Sequence, residues 1–194
     1  MIKPKVLVTR KIPEAGLSLL RKKCQVTINS HDRPLNRKEL LNMVKGKDAI
    51  LCLLNDKIDQ EVINANPNLK IIANYAVGYD NIDLKATGNI PVTNTPDVLT
   101  DAVADLALAL MLSASRRIVE SDKFLRTGKY KGWKPFLLLG PSFAHKTIGI
   151  LGLGRIGKVV AKRARGFDMR VVYYDAFRDS NFEIETKTEF VTLE

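Results

Sequence analysis

The sequence predicts an α/β chain built on parallel sheets, and three observations predict it. Short β-branched runs alternate with amphipathic segments from the start of the chain. One of those runs is apolar throughout. A glycine-rich turn then joins a strand to a helix in the second half. Strand–helix alternation implies parallel strands with helices on the sheet faces, and a strand covered on both faces has no polar side to show water.

The elements follow in order. KVLVT (Lys5 to Thr9) is a first strand. Pro13 opens a helix with Ala15, Leu17, Leu19 and Leu20, which ends in Arg21-Lys22-Lys23, cations at the negative end of its dipole. CQVTI (Cys24 to Ile28) is a second strand. A helix from Arg37 to Val44 carries Leu40, Leu41 and Val44 at helical spacing. AILCLL (Ala49 to Leu54) is the apolar third strand, Asp59 to Ala65 a short helix, Leu69 to Tyr75 a fourth strand and Ile90 to Asn94 a fifth. These fill residues 1–99 as one flavodoxin-like unit.

Thr100 to Arg117 predicts a long helix, with Thr100 as its N-cap, Asp101 in the first turn, and Arg116 and Arg117 in the last. Val103, Leu106, Ala107, Leu110 and Met111 form one apolar stripe, and Leu108 and Leu112 add apolar surface beside it. More than one face therefore needs cover, as in a helix joining two domains or lying between subunits. Gly128 to Ser142 reads as loop from its glycines and from Pro135 and Pro141, yet it carries Trp133 and Phe136 to Leu139. Such an apolar loop predicts burial against a partner.

Composition narrows the function classes. Of 194 residues, 45% are hydrophobic and 27% charged, which suits a globular domain. The longest apolar stretch, Leu106 to Leu112, falls far short of the ~20 residues that span a bilayer. No small-residue cleavage site follows the N-terminal apolar run, so a cytoplasmic location is expected. Cys24 and Cys52 are isolated, which predicts buried thiols rather than a disulfide or metal site. The net charge of +10 is spread over scattered lysines and arginines, without a basic run interleaved with aromatics, and so argues against a nucleic-acid partner.

The chemistry sits between Lys146 and Asp175. An apolar strand, Thr147 to Leu151, runs into Gly152-Leu153-Gly154-Arg155-Ile156-Gly157, and a helix with Val159, Val160 and Ala164 follows. A second strand, Arg170 to Tyr174, ends at Asp175. Gly152 permits the tight turn, Gly154 lets the backbone approach a pyrophosphate, and Gly157 lets the helix pack on the strand. The helix N-terminus offers free N–H groups to the anion. Asp175 lies where an acid accepts from the ribose 2′-OH, which favours NAD over NADP, because a 2′-phosphate would be repelled. Arg178, close behind, is the residue that would favour the phosphate instead.

NYAVGYDNID (Asn74 to Asp83), IPVTNTPDVLTDAVADLALALML (Ile90 to Leu112) and GILGLGRIGKVVAKRARGF (Gly149 to Phe167) occur in this order. With these stretches the chain resembles the D-isomer-specific 2-hydroxyacid dehydrogenases over nearly its whole length, most of all the glyoxylate and hydroxypyruvate reductase branch. The resemblance implies a flavodoxin-like part of the substrate domain over 1–99, followed over 100–194 by the first half of a Rossmann NAD-binding domain. It implies reduction of a 2-oxo acid by NADH in a homodimer, with dimer contacts from Thr100 to Arg117 and the loop beyond. Backbone N–H groups around Val77 and Gly78 would hold the substrate carboxylate, and Leu53 would line that pocket. Thr100 would lie near the nicotinamide, and Gly152, Leu153, Gly154, Arg155, Ile156, Gly157 and Asp175 would hold the rest of the cofactor. For Leu53 a core role, and for Gly78 a turn role, is the competing reading.

The family's catalytic Arg, Glu and His lie further along the chain than Glu194. His31 and His145 match neither the position nor the role, so no catalytic residue is expected here and the chain alone should be inactive. LKATGN (Leu84 to Asn89) is shorter than its family counterpart. The nucleotide unit is expected to hold only two strands, leaving an apolar edge open and the isolated chain poorly stable. The alternatives are a non-catalytic module on the same fold, such as the dehydrogenase-like corepressors, and a nucleic-acid binder.

Overall fold

The computed structural model describes residues 2–193. They divide into two compact units, with the boundary between Val98 and Leu99.

The first unit runs β1 (Lys5–Val8), α1 (Glu14–Lys23), β2 (Gln25–Ile28), α2 (Arg37–Met43), β3 (Ala49–Cys52), α3 (Gln60–Ala65), β4 (Ile71–Asn74), α4 (Leu84–Thr87) and β5 (Val92–Thr93). The five strands are parallel in the order β2-β1-β3-β4-β5, the flavodoxin-like arrangement expected from the alternation. Val6 lies opposite Val26 and Ala49, and Ile50 opposite Ile72. Alternate residues of β1 serve opposite faces. Leu7 packs with Ile50, Ile72, Leu40 and Val62 on one side, while Val6 and Val8 pack with Ile12 and Leu17 on the other. Helices thus cover both faces, which is why the strands carry so few polar residues. Asn36 and Glu39 close a capping box on α2, Asp59 caps α3, and Asp83 caps the single turn of α4.

The second unit runs α5 (Thr100–Ser115), α6 (Ile118–Arg126), β6 (Thr147–Leu151), α7 (Arg155–Arg165), β7 (Arg170–Tyr174), α8 (Ser180–Thr186) and β8 (Glu189–Phe190). Its strands are parallel in the order β6-β7-β8. Ile148, Val160, Ala164, Val171, Tyr173 and Phe182 form the core, and Ala104 and Leu108 of α5 close over it. Arg163 of α7 ties this packing down with ion pairs to Asp101 (2.9 Å) and Asp105 (2.8 Å).

Several expectations need correction here. Leu99, not Thr100, occupies the α5 N-cap, and no side chain caps that end. The helix stops at Ser115, and Arg117 takes a left-handed φ of 54° before α6 begins, an element the sequence reading passed over. The predicted apolar stripe splits. Ala107 and Met111 face the core with Ala104 and Leu108, while Val103, Leu106 and Leu110 are exposed. The tail beyond Phe177 holds both a helix and a strand, so this unit has three strands rather than two. Among the described residues the outer edges of this sheet are the far sides of β6 and β8.

Candidate functional site

In an open parallel sheet ligands collect at the carboxyl ends of the strands, where loops leave the layer. In the first unit these loops are braced by buried and half-buried polar side chains. Asn74, at the end of β4, donates from Nδ2 to the Gly78 carbonyl (2.8 Å). Asn94 donates to the Val77 carbonyl (2.7 Å), and the Thr95 amide to that of Ala76 (2.8 Å). Asn81 reaches back to the carbonyls of Leu53 and Asp56, both at 3.1 Å. Asp56, itself buried, accepts from the Leu53 amide (2.8 Å) and the Thr9 hydroxyl (2.5 Å). Cys52 lies beneath, its thiol 3.4 Å from Asn74 Oδ1, and burial pushes that thiol up to about 12.

This bracing turns the carbonyls of residues 76–78 inward. The amides of Val77 and Gly78 have no protein acceptor among the described residues, although both residues are half-buried. Such amides can donate to water or to an anion. Gly78 is not a turn glycine by necessity. Its φ is not positive, and a Cβ there would meet nothing closer than Asp80 Oδ2 at 3.5 Å. Leu53 is half-buried and packs against the cluster of Val6, Val8, Ile12 and Leu17, so the core role accounts for much of its side chain.

In the second unit the glycine-rich loop has the geometry its spacing implies. Gly152 takes φ 92°, a conformation costly for any residue with a side chain. A Cβ on Gly157 would lie 2.2 Å from the Gly152 carbonyl oxygen, so strand end and helix start close-pack only as glycine. A Cβ on Gly154 would enter open space, leaving the backbone approachable from outside. Gly154 is the N-cap of α7 without a side-chain cap, and the first-turn amides of Ile156 and Gly157 lie where a helix offers no intrahelical acceptor. Leu153 turns its side chain into the core while its amide donates to Asp175 Oδ2 at 2.6 Å. The Phe177 amide donates to Oδ1, and these two backbone donors hold the Asp175 carboxyl below the ordinary range.

Beside Asp175 opens a cleft of about 490 Å³, lined by Leu153, Arg178, Asp179 and Ser180 among others. The loop, the helix start and a carboxylate at the next strand end thus surround space suited to a dinucleotide's adenosine half, so the residues fit that group. Thr100, predicted to join them, is the first residue of α5, half-buried, and makes no hydrogen bond to this loop. His31 and His145 are exposed. No group of three His, Cys, Asp or Glu residues among those described is placed to hold a metal. Sequence reading missed Thr9, Asp56, Asn74, Asn81 and Asn94. For Thr9, Asn74 and Asn94 a polar residue at the end of an apolar strand was the available signal, since a polar group buried there requires partners, while Asp56 and Asn81 lie in loops and gave none.

Comparison with known proteins bears on the family and the fold. The family model described as D-isomer specific 2-hydroxyacid dehydrogenase, catalytic domain, matches residues 6–194. A glyoxylate reductase from Thermofilum pendens is 52% identical over the whole chain, which spans 59% of that protein. A Thermus thermophilus protein of known crystal structure superposes with a TM-score of 0.88 at 42% identity, covering 97% of this chain and 60% of its own. The 2-hydroxyacid dehydrogenase of Ketogulonicigenium vulgare does so at 0.79 and 37%, covering 99% and 59%. The chain thus spans about 60% of the length of the relatives it matches. No helix among the described residues is long and apolar enough to cross a membrane. With one family model running through both units, the chain belongs to the D-isomer specific 2-hydroxyacid dehydrogenases.

Proposed function

We propose that the protein reduces a small 2-oxo acid, of the glyoxylate or hydroxypyruvate type, to the D-2-hydroxy acid with NADH. The observation that carries this reading is the Gly152–Gly157 loop with Asp175 fastened beside it. Gly154 would admit the pyrophosphate, the α7 amides would face its charge, and Asp175 would accept from the ribose hydroxyls. NADH supplies the hydride. The amides of Val77 and Gly78 would hold the substrate carboxylate, with Leu53 at the pocket's edge and Thr100 toward the nicotinamide end. The domain division at 99/100 is part of the same reading, as is a cytoplasmic location. The relatives' name, glyoxylate reductase, supports the substrate class.

No described residue is assigned the acid–base role, so the 194-residue chain should bind NADH and turn over glyoxylate negligibly. Fluorescence titration with NADH, followed by a glyoxylate-dependent oxidation assay, tests both halves. Absence of saturable NADH binding would remove the cofactor reading, and brisk turnover would remove the claim of inactivity.

The same reading makes the protein a homodimer through the outer face of α5 and the apolar loop. Leu106 is 57%, Leu110 60%, Trp133 80% and Phe136 85% exposed, more apolar surface than one segment of a monomer leaves to water.

A further inference from the structure

The loop after β7 carries one cation, Arg178, and it lines the same cleft as Asp175. An arginine there is the fork that would pair with a 2′-phosphate on the adenosine ribose. In this structure the fork is already taken. Arg178 Nε donates to Glu183 Oε1 (2.9 Å) and Nη2 to Oε2 (2.8 Å), a two-point pairing with a residue of α8. The guanidinium also sits over the Phe190 ring of β8, 5.8 Å from its centroid.

Glu183 is no loose surface acid. Its side chain is only 13% exposed, and the hydroxyl of Tyr173, a fully buried residue, donates to Oε1 at 2.8 Å. That hydroxyl in turn accepts from the Asp179 amide (2.8 Å), so the loop backbone is fixed to the same point. Asp179 holds the other nearby cation, Lys158, at 2.5 Å. Arg178 and Lys158 are therefore each matched to a carboxylate before any ligand arrives.

We infer that Glu183 is a positioning residue for cofactor choice: it keeps Arg178 on α8, away from a 2′-phosphate, and so turns the adenosine end of the site toward NAD. This rests on the dinucleotide reading above and adds a second determinant to the repulsion from Asp175. The Glu183→Gln variant keeps the shape and an acceptor for Tyr173 but loses the ion pair, which frees the fork.

The experiment is calorimetric titration with ADP and with its 2′-phosphorylated counterpart, ligands that need only the adenosine half of the site. Glu183→Gln should raise affinity for the 2′-phosphorylated ligand about tenfold relative to ADP. Adding Arg178→Ala to it should abolish that gain. Arg178→Ala alone should leave the ratio at the wild-type value, a readout available even if Glu183→Gln folds poorly. A merely structural role for Glu183 would weaken both ligands alike and overturn the inference. So would a lower ratio in Arg178→Ala, since the fork would then already reach the phosphate. If wild-type protein binds neither ligand, the dinucleotide reading fails and takes this inference with it. If it binds ADP while the Glu183→Gln ratio stays put, only the positioning role fails.

Discussion

Asp175 shows how a single side chain is prepared before a ligand is present. Backbone amides of Leu153 and Phe177 each donate to one of its oxygens, which fixes the carboxylate plane and leaves the remaining lone pairs toward the cleft. Its lowered proton affinity has a definite direction. The ionised form, with whatever it adds to folding and binding, is complete above the ordinary carboxylate value of about 3.9 and fades only as pH falls through the lower folded value. NAD+ affinity should consequently be flat from neutral pH down to pH ~5 as far as this group is concerned. Asp175→Asn should weaken NAD+ binding about ten- to a hundredfold, as expected for loss of a charge-assisted hydrogen bond, when measured by calorimetry across that range. Asn81 supports the other half of the site. Asn81→Ala strands the carbonyls of Leu53 and Asp56, and should lower unfolding free energy by about 1–3 kcal/mol in urea titration.

At the level of elements, legibility followed burial. The strands of the first sheet were readable because they are short apolar runs, and the glycine loop because each glycine answers to a separate steric demand. The face of α5 was not readable, since apolar residues surround the helix and periodicity alone does not say which side meets the core. Ala104 and Leu108 won that place because α7 presents small residues, Ala161 and Ala164, for close approach. The outer residues Leu106 and Leu110 are then available to a second copy. Replacing both with Glu should convert a dimer to a monomer in analytical ultracentrifugation while helical content is retained. Burial of one such side chain is worth about 1.5–3 kcal/mol, so two per protomer decide the equilibrium. α6 escaped notice because it buries nothing, though Gly128 at φ 67° marks its end. α8 and β8 escaped because they are short and polar, held by Asp179 capping and by the Tyr173–Phe190 edge contact (5.4 Å). The asparagines of the site escaped for a different reason: their role lies in which carbonyls they reach, and that is set by the fold rather than by spacing.

For the molecule as a whole, an exposed apolar residue at an open sheet edge bears on association. In the second unit β6 carries Leu151 at 78% exposure beside an edge that no described strand covers. An uncovered apolar parallel edge templates association with further chains. The isolated chain should scatter light increasingly with concentration, and Leu151→Lys should suppress this without shifting the melting midpoint by more than a few degrees.

The asparagine bracing of the first unit has a last consequence, which concerns very small ligands. Binding energy per non-hydrogen atom has a ceiling near ~1.5 kcal/mol, and ordering one residue of backbone costs about 1–2 kcal/mol. A two-carbon acid would surrender most of its grip if it had to organise even a short loop around itself. Asn74, Asn81 and Asn94 meet that cost during folding, by tying residues between 4 and 28 positions apart into one rim. A rim made rigid in advance would let a metabolite with only a handful of atoms be recognised.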